Sequence, residues 1–279
     1  MDEQSVAVIT GGTGDIGLAI ARHLAPTHLN IFLLDLDPDK SSQSISNLPR
    51  EIQEKIITVQ CDVTDPSALS QAAKTILSFK GASLKTLVNN AGGTKIASLH
   101  EMSPLTWQKE ISLNLNAAYF CFDAFAEAFK QSTEPCKSVI NISSVNGILG
   151  TFGNPAYSTA KAGLIQFTRT IAAEYGRYGI RANVVAPGTV MTSAWKEKIE
   201  SNPGVFEDLK KWYPLGRLLE VDEVAGAVAF LASEQAKGVN GVCLPVDGGL
   251  TAGMPPVARS FGTLDYEGLR ASQIYARPL

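Results

Sequence analysis

The sequence predicts an α/β fold, a doubly wound parallel sheet of about seven strands flanked by helices. Three observations carry this. Seven short runs, from residues 5–10 near one end to 241–247 near the other, are almost continuously apolar. Longer segments with helical patterning separate them. A glycine-rich stretch, "ITGGTGDIG" at 9–17, joins the first run to the first helical segment. Strands covered on both faces lose the in/out alternation of half-exposed ones, and strand–helix alternation favours parallel pairing.

The runs are "SVAVIT" (5–10), "NIFLLD" (30–35), "IITVQCD" (56–62), "KTLVNN" (85–90), "KSVINIS" (137–143), "IRANVVA" (180–186) and "GVCLPVD" (241–247). Helical patterns include "DIGLAIARHLA", "DPSALSQAAKTILSF" and "AYSTAKAGLIQFTRTIAAEYG". No repeat, low-complexity stretch or linker interrupts the chain before residue 250, so one domain over 1–250 with an extension at 251–279 is expected. The stretch 189–215 is long for a strand-to-helix connection and carries Trp195, Phe206, Trp212 and Tyr213. Loops at the carboxyl ends of parallel strands form ligand sites, which makes this stretch a candidate substrate lid.

Of the 279 residues 45% are hydrophobic and 18% charged, enough to bury a large core and unlike a disordered chain. A net charge of −3 and scattered basic residues give no footprint for nucleic acid. No run of about 18 apolar residues suits a membrane span. The N-terminus enters a strand at once, leaving no room for a signal peptide. Cys61, Cys121, Cys136 and Cys243 lie far apart, as reduced thiols would, and His23, His28 and His100 form no metal-ligand cluster. A soluble cytoplasmic protein without a metal is expected.

The glycine stretch follows a strand and opens a helix, the context a dinucleotide-binding turn requires. Glycine permits positive φ and close approach of backbone N–H groups to a pyrophosphate, and the helix N-terminus adds unpaired donors and partial positive charge. Gly11, Thr13, Gly14, Asp15, Ile16 and Gly17 are the candidate binding residues. Asp35 closes the second strand 18 residues after Gly17, near the spacing of an acid that binds the adenosine ribose. Asp35 and Asp37 would repel a 2′-phosphate, and no Arg or Lys lies within 31–39, which favours NAD over NADP.

Tyr157 and Lys161 stand four apart in a helical pattern, on one face. A phenol titrates near 10, and an adjacent ammonium would lower that value toward use as an acid/base. Alone, such a pair more often marks a solvated helix face. Ser143 and Ser144 both end the fifth run, and either hydroxyl could hold a reacting oxygen.

With "TGGTGDIG", "CDV" (61–63), "NNAG" (89–92), Asn114 in "SLNLNAAYF", "NISS" (141–144), "YSTAK" (157–161), "PGTVMT" (187–192) and "VDGG" (246–249) in order, the sequence resembles the short-chain dehydrogenase/reductase family over about residues 5–250. The likeness is to its compact, single-domain branch with a Rossmann-like sheet. One departure stands out. Compact members usually read T-G-x-x-x-G-x-G, which asks for glycine at 15, whereas Thr10, Gly11, Gly14 and Gly17 give the spacing of the larger branch that modifies sugar nucleotides. Asp tolerates unusual φ, and a carboxylate in a first helical turn suits the dipole. Asp15 is therefore expected to be tolerated, at some cost in NAD affinity.

The resemblance implies that Asp62 and Val63 bind adenine, that Asn89, Ala91 and Gly92 line the nucleotide cleft, and that Pro187, Gly188, Val190 and Thr192 hold the nicotinamide end. It implies Tyr157 as acid/base, with Lys161 lowering its pKa and binding the nicotinamide ribose. Ser144, 13 residues before Tyr157 as in the family, would hold the reacting oxygen, and Asn114 would hold a proton-relaying water. Homotetramers joined through the helix bearing Tyr157 are common in the branch.

The expected function is NAD-dependent hydride transfer to or from a secondary alcohol or ketone, with a sugar, polyol or small alcohol foremost. A 3-oxoacyl-thioester reductase is the alternative, and a non-catalytic cofactor sensor a third reading. Asn146 and Asn154, with Ser144, Tyr157 and Trp195, are the candidate substrate contacts. Lys196, Lys198, Lys210 and Lys211 either attract an anionic substrate or form a solvated helix face. The tail holds Phe261, Leu264, Tyr266, Leu269, Ile274 and Tyr275, many apolar groups for a solvated end.

Overall fold

A computed structural model of the protein describes residues 4–37, 42–79 and 81–253. The tail beyond Gly253 lies outside the described residues. Seven strands, β1 (Gln4–Thr10), β2 (Asn30–Asp35), β3 (Ile56–Gln60), β4 (Ala82–Asn89), β5 (Lys137–Ile142), β6 (Ile180–Pro187) and β7 (Cys243–Val246), form one sheet in the order β3-β2-β1-β4-β5-β6-β7. Every pairing is parallel, as the near-continuous apolar runs require.

Helices cover both faces. On one, α1 (Asp15–Leu24) and α10 (Val221–Ala232) pack together over a core that includes Ile9, Ile20, Leu33, Val88, Ile140 and Leu231. On the other, α4 (Pro66–Leu77), α6 (Ala117–Gln131) and α7 (Pro155–Tyr175) bury Phe32, Leu69, Phe122, Phe125, Phe129 and Ile171. Local chemistry starts several helices. The Asp65 carboxylate accepts from Ser67 N ahead of Pro66, and Ser103 accepts from Thr106 N ahead of α5 (Pro104–Ile111). Glu220 and Glu223 make a reciprocal capping box on α10. The remaining helices are short: α2 (Ser42–Ser46), α3 (Arg50–Gln53), α8 (Lys196–Ser201) and α9 (Val205–Lys210).

The structure differs from the expected elements most clearly at β3, at the start of β4, which begins at Ala82 and not Lys85, and between α5 and α6. The third strand stops at Gln60 instead of 62, because the Asp62 carboxylate accepts from Thr64 N and Oγ1 (2.8 and 2.7 Å) and turns the chain away. Between α5 and α6 one turn, Ser112–Asn116, is π-helical, an insertion no local pattern announces. The chain direction reverses on either side of β1 and β4, so the crevice at their carboxyl ends is the switch point where doubly wound sheets bind ligands. No helix among the described residues is long and apolar enough to cross a membrane.

Candidate active site

The glycine turn fills one wall of that crevice. Gly11 has φ +58°, and a Cβ there would lie 2.9 Å from Ala91 Cα in the turn after β4. A Cβ on Gly17 would lie 2.7 Å from Gly12 Cα, so α1 can press against the turn only without a side chain. Gly14 serves as N-cap of α1 with no side-chain cap, which leaves the first helical N–H groups directed at a cavity of about 460 Å³. Gly14, Asp15, Ile16, Asp35, Val63 and Thr192 line it, and none of the described lining residues is a Lys or Arg.

Three expected cofactor residues are placed differently. Asn89 is buried in the sheet and donates to Asn141 Oδ1 (2.8 Å), because its side chain points away from the crevice. Asp62 does not line the cleft, its carboxylate being held by Thr64, while Cys61 and Val63 on either side do. Thr13 turns from the cleft and gives both N–H (3.2 Å) and hydroxyl (2.5 Å) to the Asp35 carboxylate. That contact ties the end of β2 to the glycine turn. A residue not singled out from sequence does more: Asn90 donates through Nδ2 to the carbonyls of Thr10 and Gly11 (3.1 and 3.0 Å), locking the two turns together. Its signal was the second asparagine of "NNAG".

Asp15 reaches across the cleft. Its carboxylate accepts from Ser193 N at 2.5 Å, linking the first turn of α1 to the loop after β6. The side chain therefore points at the opposite wall, and not merely along the helix entrance.

A larger cavity of about 860 Å³ continues from this cleft, sharing Ile16, Asn90, Gly92 and Thr192 with it. Ser144, Tyr157 and Lys161 line it, as do Asn146, Asn154, Trp195, Pro187, Gly188 and Val190. Ser144 and Tyr157 stand together on its wall, near enough for the Ser144 hydroxyl to favour the ionised phenol. Ser143 instead donates to Lys161 O at 2.8 Å and is buried, fastening β5 to α7. The Lys161 ammonium lies 5.5 Å from the Tyr157 ring centre and donates to Ile142 O (2.8 Å). Gly92 sits against both catalytic candidates: a Cβ there would lie 2.8 Å from Asn114 Oδ1 and 3.1 Å from Lys161 Nζ.

Two electrostatic expectations change. Burial holds the Tyr157 hydroxyl above the ordinary phenol value; the Ser144 hydroxyl opposes this and the Glu110 charge adds to it. Lys161 is not among the influences that set this direction, and desolvation pushes Lys161 itself down to about 8. Asn114, in the π-helical turn, has both ends of its amide engaged: Oδ1 accepts from Gly93 N (3.1 Å), and Nδ2 donates to Gly93 O (2.8 Å) and Glu110 O (3.0 Å). The side chain is a clamp on the β4 turn, and Oδ1 keeps a second lone pair.

Glu110 was not foreseen either. It is buried and accepts from Lys95 N (2.8 Å) and the Thr94 hydroxyl (3.0 and 3.1 Å). Only its position four residues before Asn114, one helical turn away, could have pointed to it.

A family model described as enoyl-(acyl carrier protein) reductase matches residues 12–251. An uncharacterized oxidoreductase of Schizosaccharomyces pombe is 35% identical over 254 residues, 91% of this chain and 93% of the relative. The chain belongs to the short-chain dehydrogenase/reductase family. It is an oxidoreductase of that family with the Rossmann-like sheet the family shares. A solved oxidoreductase of the short-chain dehydrogenase/reductase family from Burkholderia thailandensis superimposes with a TM-score of 0.84 at 35% identity, covering 94% of this chain and 99% of that one. An L-rhamnose-1-dehydrogenase of Scheffersomyces stipitis is 31% identical, covering 88% of this chain and 95% of the relative. A structure of ElxO with NADP bound matches with a TM-score of 0.82 at 26% identity, covering 90% of this chain and all of that one.

Proposed function

We propose that this protein is an NAD-dependent oxidoreductase interconverting a secondary alcohol and a ketone. The observation that carries the reading is the Ser144–Tyr157 pair, with Lys161 beside it, on the wall of a cavity continuous with the glycine-turn cleft. A helix N-terminus free of side-chain capping and a cradle that a Cβ would fill both suit a dinucleotide's pyrophosphate. Asp35, Val63 and Ala91 would hold the adenosine half, and Gly188, Val190, Thr192 and Lys161 the nicotinamide half. When bound, the nicotinamide supplies or accepts the hydride.

The chain's own residues handle the proton. Tyr157 gives its hydroxyl proton to a ketone oxygen in reduction and takes one from an alcohol in oxidation. Ser144 holds that oxygen. Lys161, still mostly protonated at pH 7 with a pKa of about 8, offsets the negative charge when Tyr157 ionises. Asn114 keeps Gly93, and with it the cavity floor at Gly92, in place.

NAD over NADP is supported by Asp35 at the ribose end and by the lack of Lys or Arg among the described lining residues of that cleft. The NADP in ElxO makes this choice a property to test on this chain's own side chains. Steady-state assays with both cofactors test it: NADH is expected to give the higher kcat/KM, and a preference for NADPH would refute the assignment. A thioester reductase is the second reading, favoured by the description of the matching family model. Sugars and polyols, paralleled by the L-rhamnose-1-dehydrogenase, are one class of secondary alcohol, and alcohols with an apolar body another.

A further inference from the structure

Four large apolar side chains that the fold leaves open to solvent stand around one cavity. Ile96 is 74% exposed, Leu149 44%, Phe152 103% and Trp212 53%, and all four line the space that holds Ser144 and Tyr157. They form two facing walls. Ala97 N donates to Gly153 O (2.9 Å), and a Cβ on Gly153 would lie 3.2 Å from Ile96, so the loops 93–97 and 148–154 make one continuous wall. Opposite, Trp195 packs edge-on against Phe206 (5.6 Å between ring centres) and fixes its indole N–H on Val190 O (3.1 Å). Tyr213, buried, accepts from Thr189 N (2.7 Å) and anchors the segment carrying Trp212. Apolar groups gathered at one mouth are costly in water and mark a ligand surface.

The polar groups point the same way. Lys161 is the only charged side chain among the described lining residues, and it sits at the reacting end; the other ionisable groups among them are Tyr157 and Tyr213. Lys210 and Lys211 are paired with Glu207 and Asp208 along their own helix and its end (2.6 and 2.9 Å), which fits the solvated-face reading of those lysines. Of the two expected hydroxyl contacts, Asn154 is already bonded to Thr94 at 3.2 Å, and Thr94 also to Glu110, while Asn146 lines the cavity. Among the described lining residues a carboxylate or phosphate finds no counter-charge beyond Lys161, and a polyol finds one of its two expected asparagines already engaged.

We infer that the substrate is an uncharged ketone or secondary alcohol with an apolar body, whose carbonyl end lies at Ser144 and Tyr157 and whose body lies between the Ile96/Phe152 wall and Trp212. This rests on the alcohol–ketone reading above and narrows it. Each methylene carried between the walls leaves water, so kcat/KM should rise about threefold to fourfold per added CH₂ until the space is filled.

The test is reduction of 2-butanone, 2-hexanone and 2-octanone with NADH, beside D-fructose and acetoacetyl-CoA, together with tryptophan-fluorescence titrations of the same compounds. A rising series, 2-octanone at least 100-fold above fructose, and a flatter slope in Phe152→Ser are expected. Phe152 is fully exposed, so that variant does not endanger folding. A flat series, or fructose or acetoacetyl-CoA preferred tenfold, overturns the inference and leaves the hydride-transfer reading intact. If no compound is reduced, yet 2-octanone and not fructose shifts the emission, the reaction reading falls and the apolar site stands. Absence of 2-octanone binding sinks the inference outright.

Discussion

At the scale of single residues, Tyr157 is held between opposing influences. Its burial and the Glu110 carboxylate resist ionisation, and the Ser144 hydroxyl favours it. For alcohol oxidation the ionised form is the useful one, so activity should rise with pH through the Tyr157 titration. Ser144→Ala removes the favourable contact and should move that rise to higher pH while lowering kcat at least tenfold. Glu110→Gln removes a negative charge and should move it to lower pH. Measured pH–rate profiles of the two variants must therefore shift in opposite directions; shifts of one sign would show that neither contact reaches the phenol. Tyr157→Phe should cut turnover by about 100-fold or more with cofactor binding retained, read by NADH fluorescence. The pairing of Tyr157 with Lys161 was legible in sequence because a spacing of four defines a helix face. The direction of the phenol's shift was not, because burial by distant loops outweighs a neighbour one turn away.

Among elements, the glycine turn and the loop after β6 meet through Asp15 and Ser193. A carboxylate facing the same space as the α1 N-terminus opposes a bound pyrophosphate. Asp15→Gly should thus lower the Kd for NADH about fivefold, measured by fluorescence titration; an unchanged Kd would remove the cost assigned to Asp15. Gly92→Ala drives a methyl into Asn114 and Lys161, so turnover should fall steeply with far-UV circular dichroism unchanged. The strands and main helices were legible because buried parallel strands and amphipathic helices leave apolar runs and periodicity in the chain. What the sequence did not show was joinery between distant segments. Thr94 with Glu110, Asn90 with Gly11 and Thr13 with Asp35 are contacts of side chains whose local patterns are those of ordinary turns.

For the molecule as a whole, one buried polar chain gives a measurable pH dependence. His28 lies 2% exposed, with Nδ1 donating to Leu24 O (3.0 Å) and Nε2 accepting from the Thr86 hydroxyl (2.9 Å). Burial lowers its pKa from 6.5 to about 4. The native state therefore prefers the neutral ring: its contribution is complete above pH 6.5 and disappears as pH falls through 4. This amounts to roughly 3 kcal/mol. Urea unfolding at pH 7.5 and 4.0 should show wild type losing most of that amount more than His28→Gln; parallel losses would contradict it. The π-helical turn at Ser112–Asn116 bears on the fold in another way. Each residue advances a helix by about 100°, so excising one residue there would swing the row Phe122, Phe125 and Phe129 a quarter-turn out of the core while Asn114 lost its reach to Gly93. Point changes in that turn away from Asn114 can be absorbed locally; a change of length cannot, and the turn is bound to keep its count.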